Sequence, residues 1–286
     1  MQIQHLPSQT ALTAAAARAA HLIVDQPPRI FTDRLAAQLL GEQAGQFLTY
    51  HRAHGDHPVL SAARTQVTCR SRYTERRLAD AAGQGISQYV ILGAGLDSFA
   101  YRAPHASRVR IFEVDHPATQ EWKRGQLGKA GIPVPGSTAF VPTDFEQHEL
   151  AASLRVAGFD PRQPALVSWL GVTMYLTRPA ISQALEEIGT FAGGTELISD
   201  YMLPPGRRDA AGQSYADQVG PIAAQRGEPW LTCLTPDEMT ALLHEHGFGR
   251  VQQISQRDSI SPELWARSDT LHPIRLSMLA HARIGG

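Results

Sequence analysis

Cysteine is almost missing from this chain. Cys69 and Cys233 are the only two in 286 residues, and no Cys-x-x-Cys pair occurs. That excludes a disulfide framework and a cysteine-based zinc site, and it fits a reducing, cytoplasmic setting. Net charge is missing too. The formal value is −1, so no electrostatic pull towards nucleic acid or an anionic membrane is expected. No stretch approaches the roughly eighteen consecutive apolar residues of a membrane span. The opening has no basic segment followed by an apolar core, so neither a span nor a signal peptide is expected. Repeats and long low-complexity tracts are also lacking. What remains, 43% apolar and 19% charged residues, is the composition of a soluble globular protein of one or two domains.

The most informative stretch runs from Gln88 to Phe99. Val90-Ile91-Leu92 is a continuous apolar run, as expected of a strand covered on both faces of a parallel sheet. It breaks at Gly93-Ala94-Gly95, where a sharp turn exposes bare backbone to a ligand. A second strand, Arg108 to Asp115, ends in an acid, the group that accepts hydrogen bonds from a ribose diol in nucleotide folds. A dinucleotide fingerprint would carry a third glycine at position 98. Ser98 stands there, which counts against a nicotinamide or flavin site.

Along the chain, Ser8–Val24 reads as an Ala-rich helix, Thr32–Leu40 as a short helix and Ser61–Ala82 as a long one. His51, His54 and His57 lie between them beside Gly55 and Pro58. This reads as a solvated loop and not as a metal site, so no metal is expected. Beyond Asp115, Pro117–Ala130 reads as a helix with Lys123, Arg124 and Lys129 exposed. Thr138–Pro142 is a third strand, followed by Asp144 and Phe145 and then by a helix over residues 146–157. Ala165–Gly171 and Glu196–Tyr201 are further strands, separated by a helix capped at Thr177. Residues 204–230 read as an irregular lid. A helix from Thr235 to His246 and a strand from Arg250 to Ser255 follow. The alternation is that of a doubly wound α/β sheet whose ligand crevice lies at the carboxyl ends of its strands. Residues 1–84 form a helical cap over a core spanning 85–286.

These residues resemble a known family. Leu92-Gly93-Ala94-Gly95-Leu96-Asp97-Ser98 with Tyr101-Arg102 is similar to the "LGAGLDTRAYR" signature of the leucine carboxyl methyltransferase-like family. Glu113-Val114-Asp115-His116-Pro117 resembles its "EVDxP", Phe140–Phe145 its "VxxDL", Gly171–Thr177 its "EGVTMYLT", and Arg70–Tyr73 its "RTRF". The resemblance implies a class I, Rossmann-like methyltransferase with a mostly parallel seven-stranded sheet, using S-adenosyl-L-methionine (SAM). It also implies site roles. Arg72, with Arg70 beside it, would bind the methionine carboxylate. Gly93 and Gly95 would admit the cofactor to the backbone. Asp115 would take the ribose, and Asp144 with Phe145 the adenine.

The family's acid before Gly171 is Leu170 here, which tilts the pocket towards apolar acceptors such as the polyketide-type metabolites of bacterial members. Trp169, Tyr175 and Tyr201 are candidate pocket walls. His116, Tyr175, Asp200 and Tyr201 lie where a base would, but none is singled out as a catalyst. The expected reaction is O-methylation of a small-molecule carboxylate or hydroxyl. Two alternatives stand beside it: a SAM-binding protein without methyl transfer, and a protein C-terminal carboxyl methyltransferase.

Overall fold

The computed structural model describes residues 8–145 and 150–285. One sheet runs through it, built from β1 (Gln88–Leu92), β2 (Arg110–Asp115), β3 (Thr138–Pro142), β4 (Ala165–Trp169), β5 (Glu196–Met202), β6 (Phe248–Ser255) and β7 (Ser277–Ile284). Its order is β3-β2-β1-β4-β5-β7-β6. β7 runs antiparallel to both β5 and β6, while the other pairings are parallel. β1 lies at the centre of the crossover, with Leu92 opposite both Val114 and Trp169. The carboxyl ends of β1, β2 and β4 are therefore level.

The helices are α1 (Gln9–Val24), α2 (Ala36–Leu39), α3 (Ala44–His54), α4 (Pro58–Gly83), α5 (Phe99–Arg102), α6 (Pro117–Lys129), α7 (Leu150–Val156), α8 (Arg178–Gly189), α9 (Ala210–Gln225) and α10 (Pro236–Glu245). They cover both faces of the sheet, which is why its central strands read as unbroken apolar runs. On one face Val90, Leu92, Val167 and Trp169 pack against Leu185 of α8 and Leu242 of α10. On the other, Tyr89, Ile91 and Leu166 meet Leu78 and Ala81 of α4. A third cluster joins Leu12, Ala15 and Ala16 of α1 to Leu96 and Leu127. The N-terminal helices thus share apolar contacts with the segment that follows β1.

Several sequence expectations need correction. His51 and His54 lie in α3, not in a loop, and the His57 ring caps α4 by accepting the Val59 N–H. Leu48 and His51 are the buried residues of α3, so it shows little apolar periodicity. Lys123 is not exposed: its Nζ lies 2.7 Å from the Glu113 carboxylate, with both side chains buried. Residues 204–230 are not irregular throughout, because α9 occupies their middle despite Gly212, Gly220 and Pro221. Gly212 sits where a side chain would strike the Arg275 carbonyl, so α9 approaches that backbone closely. Seven strands were implied by the resemblance, but no strand was read at the position of β7. His281 and Arg283 interrupt its apolar pattern, and His281 is bonded to Tyr73 and Glu196. The start of the expected helix at 146–149 lies outside the described residues. Among the described residues, no helix is long and apolar enough to cross a membrane.

Burial, reinforced by the Arg64 charge, lowers the His51 imidazole to about 4, against 6.5 for an ordinary histidine. Between those two pH values the unfolded chain holds a proton that the folded chain refuses, so stability falls as pH drops from about 6.5 to about 4. The contribution of this one group is on the order of 3 kcal/mol. Denaturant unfolding of wild type and His51→Gln across that range should give a shallower pH slope for the variant.

Candidate active site

The crevice at the strand ends starts from the turn after β1. Gly93 and Gly95 have φ of 65° and 47°, a left-handed backbone that favours glycine. A side chain on Gly93 would collide with Val172, from the segment that follows β4. One on Gly95 would lie 3.1 Å from the Ala11 methyl of α1. The turn is thus enclosed between the β4 exit and the N-terminal helix.

Asp115, at the end of β2, faces this turn. One carboxylate oxygen accepts the Gly95 N–H, and the other accepts the His116 N–H at 2.7 Å. Burial raises the Asp115 carboxyl above its ordinary value, while the two backbone N–H groups pull it back. A carboxylate offers about four acceptor sites, so two remain for a vicinal diol. The Thr143 N–H donates to the Asp115 carbonyl at 2.9 Å, which holds the β3 exit alongside. Asp144 and Phe145 follow directly. The Phe145 ring lies 6.2 Å from that of Trp169, at the end of β4. Among the described residues, Thr143 Oγ1 and Trp169 Nε1, both buried, have no hydrogen-bond partner.

The two arginines of α4 part company. Arg72 donates to the Ile30 carbonyl at 2.9 Å. Arg70 reaches the strand ends: its Nη1 lies 2.7 Å from Asp200 Oδ2, at the end of β5. The other Asp200 oxygen accepts the Gly171 N–H at 2.6 Å. The Arg70 guanidinium occupies the space a side chain at Gly171 would need. Residues two apart on a helix point in widely different directions, so only one of this pair can face the crevice. The sequence motif could not say which.

Beside Arg70 lies an apolar cluster. Met174, Met202 and Ala216 pack there with Tyr175, Tyr215 and Trp230. The Arg70 charge acts on both Tyr175 and Tyr215. Tyr215 and Trp230 come from the stretch read as a lid, where lack of an apolar period hid them. Burial raises the Tyr175 phenol above its ordinary value and pushes that of Tyr215 up to about 12. Tyr201 points the other way. It donates to Gln253 at 2.6 Å on the face covered by α10, because neighbouring residues of a strand alternate between faces. His116 is exposed and caps α6 through Nδ1.

The stretch after α9 is tied to the start of α1. Glu228 accepts from the Ser8 hydroxyl at 2.7 Å and from the Thr10 N–H at 3.1 Å, at the start of α1. Leu231 N–H bonds the Met174 carbonyl at 2.7 Å. Among the described residues, no group of three His, Cys, Asp or Glu side chains could hold a metal ion.

Comparisons with known proteins agree with this layout. A Bacillus subtilis (strain 168) protein named "Putative S-adenosyl-L-methionine-dependent methyltransferase YktD" is 29% identical over 297 residues, covering 96% of this chain and 97% of that protein. A Mycobacteroides abscessus protein of the same general name is 33% identical over 233 residues, covering 80% of this chain and 76% of its own. A crystal structure titled as a putative methyltransferase from Thermobifida fusca YX has a TM-score of 0.59 at 20% identity, covering 92% of this chain and 100% of that one. It shares the fold. The family description "Leucine carboxyl methyltransferase" matches residues 11–189. The chain belongs to the leucine carboxyl methyltransferase family and is a SAM-dependent methyltransferase.

Proposed function

We propose that the chain methylates the carboxylate of a small, apolar acid. When bound, SAM supplies a methyl group on a positively charged sulfur. The residues present suit it: a half-buried carboxylate with two acceptor sites left at Asp115, bare backbone at Gly93 and Gly95, and an aromatic face at Phe145 beside Asp144. In this reading Arg70, not Arg72, grips the methionine carboxylate. Its planar fork keeps donors free beside the Asp200 bond.

The observation that carries the choice of acceptor is the state of every candidate base at the rim. Tyr175 is held above its ordinary value, hence protonated at neutral pH. Asp200 is committed to an ion pair with Arg70, and its other oxygen accepts the Gly171 N–H. His116 caps a helix on the surface. A phenol or alcohol acceptor would need one of these groups to take its proton. A carboxylic acid is already ionised at neutral pH and needs none. The chain's contribution is then alignment and exclusion of water, and positioning alone can supply about 7–11 kcal/mol. The apolar side chains of Met174, Met202, Tyr215 and Trp230 beside Arg70 favour an apolar body for the acceptor. The family's name, with its carboxyl group, supports the same choice. The lid fastened by Glu228 supports a small molecule over a protein terminus.

Calorimetry tests the cofactor part. Wild type should bind SAM, and Asp115→Ala should bind it about tenfold or more weakly, the loss of roughly 1.4 kcal/mol of hydrogen bonding. Absence of binding by wild type would reject the site.

The arginine assignment has its own check. Arg70→Met should weaken SAM at least tenfold while Arg72→Met stays within about threefold, and the reverse order would restore the sequence reading.

For the acceptor, mass spectrometry of SAM with a panel of apolar acids and phenols should show methyl esters. Methylated phenols without any ester would overturn the carboxylate assignment.

A further inference from the structure

We propose that Arg18 of α1 is a positioning residue for the cofactor-binding turn, acting with Asp33 and Arg102 as an ionic bracket; this rests on the SAM site assigned above. In many doubly wound folds a long helix follows the glycine turn and fixes it against the sheet. Here the helix that follows, α5, has four residues. That one turn of helix offers only Phe99 and Ala100 as buried residues to the sheet, so other contacts share in holding the turn.

Arg18 supplies such a contact. It is buried, and its Nη2 donates to the carbonyl of Leu96, the residue next to Gly95, at 2.6 Å. Its Nε donates to Asp33 at 2.9 Å. Asp33 is 1% exposed and also caps α2, accepting the Leu35 and Ala36 N–H groups. Its second oxygen lies 3.5 Å from Arg102, which closes the bracket from the far side of the turn. Arg102 in turn donates to the Ser98 hydroxyl at 2.7 Å, bonds Glu75 through both outer nitrogens and lies over the Phe31 ring. Two arginines anchored on one buried acid thus grip the chain at Leu96 and at Ser98, on either side of Asp97. Desolvation would raise the Asp33 carboxyl, but the two guanidiniums overcome it and hold Asp33 below its ordinary value. Asp33 therefore stays charged and keeps both partners fixed.

The bracket also places Ala11 of the same helix against Gly95. A SAM molecule lying on the Gly93–Gly95 backbone needs that turn held in one position before it binds. A turn free to wander would lower the fraction of protein competent to bind, and apparent affinity would fall by that fraction.

Arg18→Lys separates this role from simple stabilisation. A lysine keeps the charge beside Asp33, but its single ammonium cannot span both Asp33 and the Leu96 carbonyl as the guanidinium fork does. Its melting temperature should stay within a few degrees of wild type. Calorimetry should show SAM binding about tenfold or more weakly, with kcat at saturating SAM within about twofold of wild type. Amide exchange at Asp97 and Phe99, whose N–H groups are bonded to Ala94 and to the Asp97 side chain, should speed up at least tenfold. A folded Arg18→Lys with wild-type SAM affinity and unchanged exchange at these amides would overturn the inference. Should that lysine variant not fold, Asp33→Asn is measured in the same way with the same expectation, and wild-type affinity and exchange there overturn the inference equally. The site reading fails separately, through a wild type that binds no SAM or an Asp115→Ala that binds it normally.

Discussion

The site depends on the register of β1. Leu92 stands opposite Val114 on one side and Trp169 on the other, so three strands end at one level. That alignment lets the Gly95 N–H meet the Asp115 carboxylate across adjacent strand ends. Parallel pairing brings residues far apart in the chain side by side without further machinery. Shifting β1 by one residue would turn Val90 and Leu92 out of their cluster and carry the glycine turn away from Asp115. Buried polar pairs resist such a shift: Tyr89 bonds the Ser168 hydroxyl across to β4 at 2.9 Å, and the Gln88 amide bonds the backbone of Asp160.

Around that fixed rim, the variable parts come from elsewhere in the chain. α1 lies on Gly95 through Ala11 and binds the turn through Arg18. α4 sends Arg70 over Gly171. The stretch around α9 supplies Tyr215 and Trp230 and returns to α1 through Glu228. One helix, α1, therefore meets both the segment after α9, through Ser8 and Thr10, and the glycine turn, through Ala11 and Arg18. In the function proposed above, the carboxylate for a diol and the apolar surface for an acid would come from different layers of the same rim.

Much of this was legible in the sequence because it follows from local rules. The strand at 138–142 was read to the residue, and Thr177 and Thr235 were visible as caps from side chains that accept N–H groups three residues on. Other features were hidden for equally physical reasons. α3 buries little apolar surface, α9 carries glycines and a proline, and β7 contains His281 and Arg283 held by partners on other elements. Lys123 of α6 looked like a surface residue because its partner, Glu113, comes from another element, β2. A residue type states what a side chain can do, and only its neighbours decide whether it is buried.

The sequence by itself determined the doubly wound sheet, the glycine turn after β1 and the acid at the end of β2, since burial on two faces, backbone freedom and strand alternation are written in consecutive residues. Only the tertiary structure decided which arginine of α4 pairs with Asp200, that Tyr201 faces Gln253, and that Arg18 bonds the glycine turn at Leu96. Those outcomes depend on how each helix is rotated about its axis and which face of the sheet it covers. Packing between distant segments sets both, and no local stretch of residues encodes either.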